Sequence, residues 1–349
     1  MLDDLKLIHE RDQQDTLGIA EKQWQQLGTA FEVENDHLSS DNIANIVYAG
    51  MGGSALAALV SNTWPGYSVP FEVVRDYDIP NYVSSDTFFI AASYSGNTEE
   101  TLSAIEQAEE RGAQIAVIAG GGTLADIARE KGYPLVILPK VEQPRYAVLY
   151  NLKILLVLFE HAGLLKESEI DAELQRAADF FQEAVKSWLP TVPTKDNFAK
   201  QIALDCIGKS AVVYAGPKLW PAAYKWKISF NENAKQVAWA NQYPEFNHNE
   251  FIGWSKQPVD KPYAVIDLRS SLEHPRVQKR FVVSERLLSG MRPSPIVVNA
   301  GGQDLLEQLI WTIALGDFVT LYTALLNDVN PAPVVLVEKF KKTLDEQDE

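Results

Sequence analysis

The chain has 349 residues, of which 46% are hydrophobic and 22% charged, a balance typical of a soluble globular enzyme with two domains. Its net charge of -16 and pI near 4.8 disfavour nucleic acid and anionic membranes as partners. The single cysteine, Cys206, excludes an internal disulfide and a thiolate metal cluster, and its setting predicts a small buried side chain.

The N-terminal segment, MLDDLKLIHERDQQDT, is amphipathic and acidic and lacks the apolar core of a signal peptide. The longest apolar stretch, ILLVLFEHAGLL, is interrupted by Glu160 and His161 and is too short to span a bilayer. We therefore expect a cytoplasmic protein without a membrane partner.

The first strand–loop–helix pattern is NIVYAGMGGSALAAL, in which residues 46–49 predict a strand and residues 50–53 a turn. Glycine lets the backbone approach a ligand closely, so Gly52, Gly53 and Ser54 predict a phosphate-binding turn where the helix starts. The same turn also matches the G-x-G-x-x-A dinucleotide fingerprint, with Glu72 22 positions after Gly50 in the place of a ribose-binding acid. A nucleotide-dependent oxidoreductase therefore stays open as an alternative.

The second pattern, DTFFIAASYSGNTEET, ends an apolar strand on hydroxyl groups. Ser93, Ser95 and Thr98 follow the strand, and Asn97 is predicted to cap the next helix with Glu100 as its capping-box partner. The carboxyl ends of parallel strands meet at one edge of a sheet, so we expect the two loops to converge there. Hydroxyls and backbone amides can hold a phosphate without a cage of cations.

The chain repeats this arrangement. Val-Tyr-Ala-Gly occurs at residues 47–50 and 213–216, and paired glycines end a strand at 121–122 and 301–302. Gly216 follows Gly50 by 166 positions, whereas Gly301 follows Gly121 by 180, so the second copy carries 14 extra residues. The excess falls in SFNENAKQVAWANQYPEFNHNEFIGW, and an addition to a repeated scaffold is a natural place for function.

Strands alternating with helices predict two tandem α/β domains, each a parallel sheet flanked by helices in three αβα layers. The expected boundaries are 1–155 for the N-terminal domain, 156–196 for a helical connector and 197–349 for the C-terminal domain. The second copy reads GPKLWPAAY after its strand, without a serine-rich loop, so we expect one phosphate site per chain.

Four kinds of side chain are candidates for chemistry. Glu232 lies between asparagines in SFNENAK, and His248 lies between asparagines in EFNHNEF, which suggests polar pockets where each could move a proton. Arg145 in EQPRYAVLY is placed to reach the mouth of the first domain. The amphipathic C-terminal stretch VVLVEKFKKTLDE offers lysines, although a lysine-rich surface helix is the ordinary interpretation.

The motifs GMGGSA, SYSGNTEET, PRYAVLY, FNENAK, FNHNEF and PAPVVLVEKFKKTL occur in this order along nearly the whole chain. Together they resemble the bifunctional phosphoglucose/phosphomannose isomerases, which consist of two sugar isomerase (SIS) domains. The resemblance implies an aldose–ketose isomerisation of hexose 6-phosphates through a cis-enediolate, without metal or other cofactor. The residues implied to hold the phosphate are Gly52, Gly53, Ser54, Ser93, Ser95 and Thr98.

The resemblance also implies roles for the candidate side chains. Glu232 is the base that moves the proton between C1 and C2, Arg145 stabilises the enediolate, and His248 of the partner subunit in a homodimer opens the sugar ring. The late lysine of the family corresponds best to Lys341, with Lys339 as the other register.

One position departs from the family pattern, because Ala332 stands where relatives often have a threonine linked to mannose substrates. The resemblance therefore supports activity on the glucose substrate more than on the mannose substrate. A sugar-phosphate-binding SIS protein without catalysis is the other alternative that stays open, although such regulators usually carry a basic DNA-binding module that is not evident here.

Overall fold

The computed structural model describes residues 1–39, 42–256 and 262–345, so the last four residues of the predicted C-terminal domain lie outside it. The described part contains a five-stranded and a four-stranded sheet. The strands of the first sheet are β1 (Asn45–Ala49), β2 (Phe71–Val74), β3 (Thr87–Ser93), β4 (Gln114–Ala119) and β5 (Leu135–Ile137). The strands of the second sheet are β6 (Ser210–Ala215), β7 (Ala238–Gln242), β8 (Tyr263–Arg269) and β9 (Ile296–Asn299).

All neighbouring strands pair in parallel, in the spatial orders β2-β1-β3-β4-β5 and β7-β6-β8-β9. Strand β6 thus corresponds to β1, and β8 corresponds to β3. In each sheet the strand order reverses between these two strands, and the crevice beyond their carboxyl ends is where open α/β sheets bind ligands.

The helices of the described residues, in chain order, are α1 (Leu5–Arg11), α2 (Thr16–Lys22), α3 (Gly52–Thr63), α4 (Glu99–Glu110), α5 (Gly122–Lys131), α6 (Val148–His161), α7 (Glu167–Ala184), α8 (Phe198–Cys206), α9 (Trp220–Glu232), α10 (Glu250–Gly253), α11 (Pro275–Leu287), α12 (Leu305–Leu326) and α13 (Val335–Asp345). One face of the first sheet packs against α4 and α5, and one face of the second packs against α11. The other faces share one apolar core with α3, α6, α8, α9 and α12. The predicted fold of two three-layer α/β units is confirmed.

Helix α12 was missed as an apolar segment by the sequence reasoning. It has 22 residues, and its most apolar 18 residues have a mean hydropathy of 1.7, so by length and composition it is apolar enough to cross a membrane, but 89% of that window is buried inside the protein. Its one central charge, Asp317, is buried and bonded to the buried Lys225 ammonium and the Ser229 hydroxyl. A buried carboxylate needs such partners, so α12 is a core helix around which the other elements pack.

Candidate active site

The glycine turn after β1 forms the first part of the candidate site. Gly52 has a φ of +51°, which favours glycine, and a Cβ on Gly50 would lie 3.0 Å from the carbonyl oxygen of Ala92 in β3. A Cβ on Gly53 would lie 3.2 Å from the carbonyl oxygen of Pro144. The turn therefore lies between the end of β3 and residues 144–145, with the buried Ser54 in the first turn of α3.

The serine loop after β3 forms the second part. Ser93 is buried, and its Oγ lies 2.8 Å from Thr98 Oγ1 and 3.4 Å from Ser95 Oγ. The N–H of Gly96 also donates to Ser93 Oγ, at 3.1 Å. Since β1 and β3 are neighbours, these hydroxyls and the glycine turn share the same carboxyl edge of the sheet. The structure thus brings all the predicted phosphate-binding residues to one edge.

The prediction for Asn97 is wrong. The cap residue of α4 is Thr98, which makes no side-chain capping bond, and the Asn97 Oδ1 instead accepts the N–H of Thr123 at 3.0 Å. The glycine loop before α5 folds against the serine loop, so a cross-loop contact takes the amide that local capping rules assigned to α4.

Arg145 connects the two units. It lies in the short 3-10 helix Pro144–Tyr146 and is 1% exposed. Its Nη1 donates to Glu232 Oε2 at 3.2 Å, and its Nε donates to Asn233 Oδ1 at 2.7 Å. These partners lie at the end of α9 in the second unit, so Arg145 joins the glycine turn of one unit to the candidate base of the other.

The remaining donors of Arg145 are also occupied. Nη2 donates to the carbonyl oxygens of Pro331 and Ala332 at 2.8 Å each, and Nη1 donates to Gln143 Oε1 at 3.2 Å. A guanidinium has five N–H groups, and here each one has an acceptor. A buried cation is tolerated when its donors are satisfied, so Arg145 is a fixed positive charge beside Glu232.

Glu232 is the last residue of α9, and its side chain is 33% exposed. Leu56, near the start of α3, packs with Ile228, near the end of α9, so the two helices place the glycine turn and Glu232 in the same region. Arg145 holds Oε2, whereas Oε1 accepts no hydrogen bond from any described residue. Glu232 also lines a groove of about 910 Å³ bounded by the beginning of α13.

Lys235 is a site residue that the sequence reasoning missed, although it ends the FNENAK motif. It has a φ of +52°, and its Nζ donates to the carbonyl oxygens of Glu232 at 2.8 Å and Pro331 at 3.0 Å. Burial, and to a lesser degree the nearby Arg145 charge, lower its pKa to about 8. The Pro331 carbonyl oxygen thus accepts from both Arg145 and Lys235. These two bonds hold the segment that leads to α13 against the end of α9.

His248 lies away from this site within the chain. Gln236 in the loop after Glu232 donates to the carbonyl oxygen of Lys209, just before β6, whereas the N–H of Tyr243 donates to Ala215 at the end of β6. Glu232 is therefore at the amino edge of the second sheet and His248 at its carboxyl edge. Strand β6 has six residues, so the edges are roughly 20 Å apart. The His248 side chain is exposed and forms no hydrogen bond with another residue that the structure describes.

The late lysines are not brought to Glu232 either. Lys339 and Lys341 are exposed on α13, and neither lines the groove that the first turn of this helix bounds. The apolar residues on the same helix, Leu336 and Phe340, are 80% and 64% exposed. Helix α13 therefore presents an apolar face without a covering element in the described part of the protomer.

The paired sheets, with glycine and serine loops at the carboxyl edge of the first, define a tandem SIS protein. The SIS domain family model matches residues 38–161, and the model of the bacterial phospho-glucose isomerase C-terminal SIS domain matches residues 195–344. The bifunctional phosphoglucose/phosphomannose isomerase of Caldicellulosiruptor bescii is 32% identical over 329 residues, covering 92% of this chain and 96% of that protein. The chain belongs to the bifunctional phosphoglucose/phosphomannose isomerase family, which confirms the predicted resemblance.

One further protein is similar to this chain in sequence, and another is similar in structure. The D-glucosamine-6-phosphate 4-epimerase of Sulfolobus acidocaldarius is 36% identical over 213 residues, covering 61% of this chain and 64% of that protein. A glucose-6-phosphate isomerase like protein from Thermus thermophilus has a similar structure, with a TM-score of 0.64 at 18% identity over 96% of this chain and 99% of that one. At that identity the structural likeness supports the fold alone.

Proposed function

We propose that this protein interconverts fructose 6-phosphate with glucose 6-phosphate, and to a lesser extent with mannose 6-phosphate. The observation that carries the proposal is the Glu232 carboxylate of the second unit, which accepts from Arg145 at 3.2 Å, while the backbone of Arg145 adjoins the glycine turn of the first unit. The name of the Caldicellulosiruptor bescii relative supports the same pair of aldose substrates.

The first domain holds the phosphate. Its donors are the hydroxyls of Ser54, Ser93, Ser95 and Thr98 together with the N–H groups of the turn at Gly52 and Gly53. Neutral donors suit this chain, because a net charge of -16 repels an anionic substrate at long range. Local hydrogen bonds must therefore supply the affinity.

Glu232 transfers the proton. Its Oε1 accepts the hydrogen from C2 of the open-chain aldose while the C2–H electrons form the C1–C2 double bond and the carbonyl oxygen becomes an enediolate oxygen. The proton of the C2 hydroxyl passes to O1, and Glu232 returns its proton to C1 while a carbonyl forms at C2, which gives the ketose. The fixed charge of Arg145 favours the enediolate through space, since all five of its donors are occupied in the chain. Carboxylate-mediated proton transfer requires no metal.

A second subunit completes the site. Glu232 and His248 of one chain lie at opposite edges of the second sheet, farther apart than a six-carbon sugar can bridge. A two-fold dimer gives each site the same patch of the partner, so His248 of the partner subunit acts in ring opening. Lys341 on the exposed helix α13 is a further candidate cation for the site, besides Arg145 and Lys235. We place this homodimer in the cytoplasm.

A coupled assay tests the activity: glucose 6-phosphate formed from fructose 6-phosphate is measured with a dehydrogenase, and mannose 6-phosphate is tested as a second substrate. Turnover of the glucose substrate is expected. Tight binding of hexose phosphates without turnover would instead support the non-catalytic alternative, and stabilisation by a dinucleotide alone would support the oxidoreductase.

Mixed dimers test the sharing of His248. Glu232→Gln and His248→Ala variants, each inactive alone, are unfolded together, refolded and assayed. Random pairing makes half of the dimers hybrids with one intact site of two, so about a quarter of wild-type activity is expected. No recovery in a mixture shown by mass to contain hybrids would mean that His248 acts within its own chain.

The epimerase relative favours a second candidate function, epimerisation of glucosamine 6-phosphate at C4. Incubation with glucosamine 6-phosphate, followed by chromatography of the sugar product, distinguishes the two reactions.

A further inference from the structure

The second unit contains a crevice that corresponds to the phosphate-binding crevice of the first. It lies beyond the carboxyl ends of β6 and β8, the counterparts of β1 and β3, and it is bounded by residues 216–219 and 270–273. A duplicated domain would have two anion sites, one in each crevice. The side chains that fill the second crevice therefore show why it differs from the first.

A carboxylate fills this crevice. Glu273 is 5% exposed, and its Oε1 accepts the N–H of Lys218 at 2.7 Å. A Cβ on Gly216 would lie 2.3 Å from Glu273 Oε1, so the carboxylate is packed directly against the glycine backbone. Burial raises the pKa of Glu273, while the N–H groups of Lys218 and Leu219 oppose that shift by bonding the ionised form.

The hydroxyls of this crevice are also occupied from within the chain. Ser270 Oγ donates to Gln308 Oε1 at 2.5 Å, and Gln308 Nε2 donates to Ser271 Oγ at 2.9 Å. Gln308 belongs to the core helix α12 and is fully buried. In the first unit, by contrast, the serine-loop hydroxyls bond to one another at the open edge of the sheet.

We propose that Glu273 is the resident anion of a second phosphate-type cradle, which the chain keeps closed with its own carboxylate. The class of ligand that the opened cradle takes is a small oxyanion, such as inorganic phosphate or a phosphate monoester. The wild-type chain therefore offers one phosphate site, and removal of the Glu273 side chain creates a second. This inference concerns anion binding and does not depend on isomerase activity.

The experiment compares the wild-type chain with Glu273→Gly and Glu273→Gln variants. Bound inorganic phosphate per protomer is counted by equilibrium dialysis, and thermal unfolding is followed in phosphate and in chloride of equal ionic strength. The glycine variant is expected to bind about one phosphate more than the wild type and to regain in phosphate much of the thermal stability it loses in chloride. The glutamine variant keeps the shape that fills the cradle and should bind no more phosphate than the wild type.

Two outcomes overturn the proposal. One is an equal phosphate count in the wild-type chain and the glycine variant. The other is an equal gain in both variants, because a loss of charge without an opened cradle would then account for the binding. If the glycine variant does not fold in chloride, its refolding yield with and without phosphate decides: recovery in phosphate alone supports an opened site, and failure in both overturns it.

Discussion

Replacement of Glu232 by glutamine separates its chemical role from its structural one. Glutamine has the same shape, and its amide oxygen can still accept from Arg145 Nη1, which now lies 3.2 Å from Glu232 Oε2. The acceptor loses its negative charge while the Arg145 donor stays ionised, and the Glu232 side chain is 33% exposed, so the expected loss in the free energy of unfolding is about 1 kcal/mol. For a chain of this length that corresponds to roughly 1–2 °C in Tm.

The expected loss of activity is far larger. A positioned general base contributes about 10²–10⁴-fold, which is roughly 3–5 kcal/mol of transition-state free energy. A stability loss of about 1 kcal/mol leaves a protein with an ordinary stability of about 5–15 kcal/mol almost fully folded, so unfolding cannot explain such a drop. Loss of the proton-transferring group can.

The assay is the coupled formation of glucose 6-phosphate, together with exchange of the C2 hydrogen of glucose 6-phosphate in heavy water by NMR. Both rates should fall together in the variant, and its Tm should stay near that of the wild type. Glu10→Gln is a suitable control, because Glu10 is exposed and its ion pair with Lys6 on the same helix, at 4.0 Å, is long and exposed to solvent. A Glu232→Gln enzyme that keeps more than about a tenth of the wild-type rate would place the base elsewhere.

Three other positions of the site give predictions of their own. Burial lowers the pKa of Lys235 to about 8, below its ordinary value of 10.5, so kcat/KM should fall as the pH rises through about 8 and the site loses this positive charge. Between about pH 8 and 10.5 the unfolded chain holds the proton that the folded chain has lost, so the free energy of unfolding should rise with pH in this range. Lys235→Met should remove both trends. Lys341→Ala should reduce kcat while Lys339→Ala should not; the reverse result would select the other register on α13. Ala332 is buried, and its carbonyl oxygen accepts a hydrogen bond from Arg145. Ala332→Thr, which introduces the threonine of the family pattern, should raise the ratio of mannose to glucose activity without loss of folding. An unchanged ratio would mean that this position does not determine substrate specificity.

The sheets and the positions of the glycine and serine loops could be predicted from sequence because their signals are local and repeated. Residues 47–50 and 213–216 end matching strands, and parallel pairing then places the loops after β1 and β3 side by side. No distant contact was needed for that step. The serine and glycine residues of the first crevice were therefore predicted in the correct place.

Contacts between the units could not be predicted in this way. Arg145 was expected near the mouth of the first domain, but its partnership with Asn233 spans 88 positions and depends on how α3 packs against α9. Asn97 shows a different error: the local capping rule predicted a bond within α4, but the Asn97 side chain accepts the N–H of Thr123 in another loop instead. The lysine at 235 was passed over because its importance comes from the carbonyl oxygens around it.

The repeat also gives a reason why we propose one active site per chain rather than two. The proposed site combines the carboxyl edge of the first sheet with the amino edge of the second, where α9 ends at Glu232. The counterpart of that helix end is the end of α3, where Asn62 and Thr63 offer no side chain able to act as a base. A phosphate bound in the second crevice would therefore have no catalytic partner from the first unit. An open second crevice would only sequester substrate, and in our proposal the Glu273 carboxylate prevents this while it accepts the N–H of Lys218, just before the helix that ends at the candidate base.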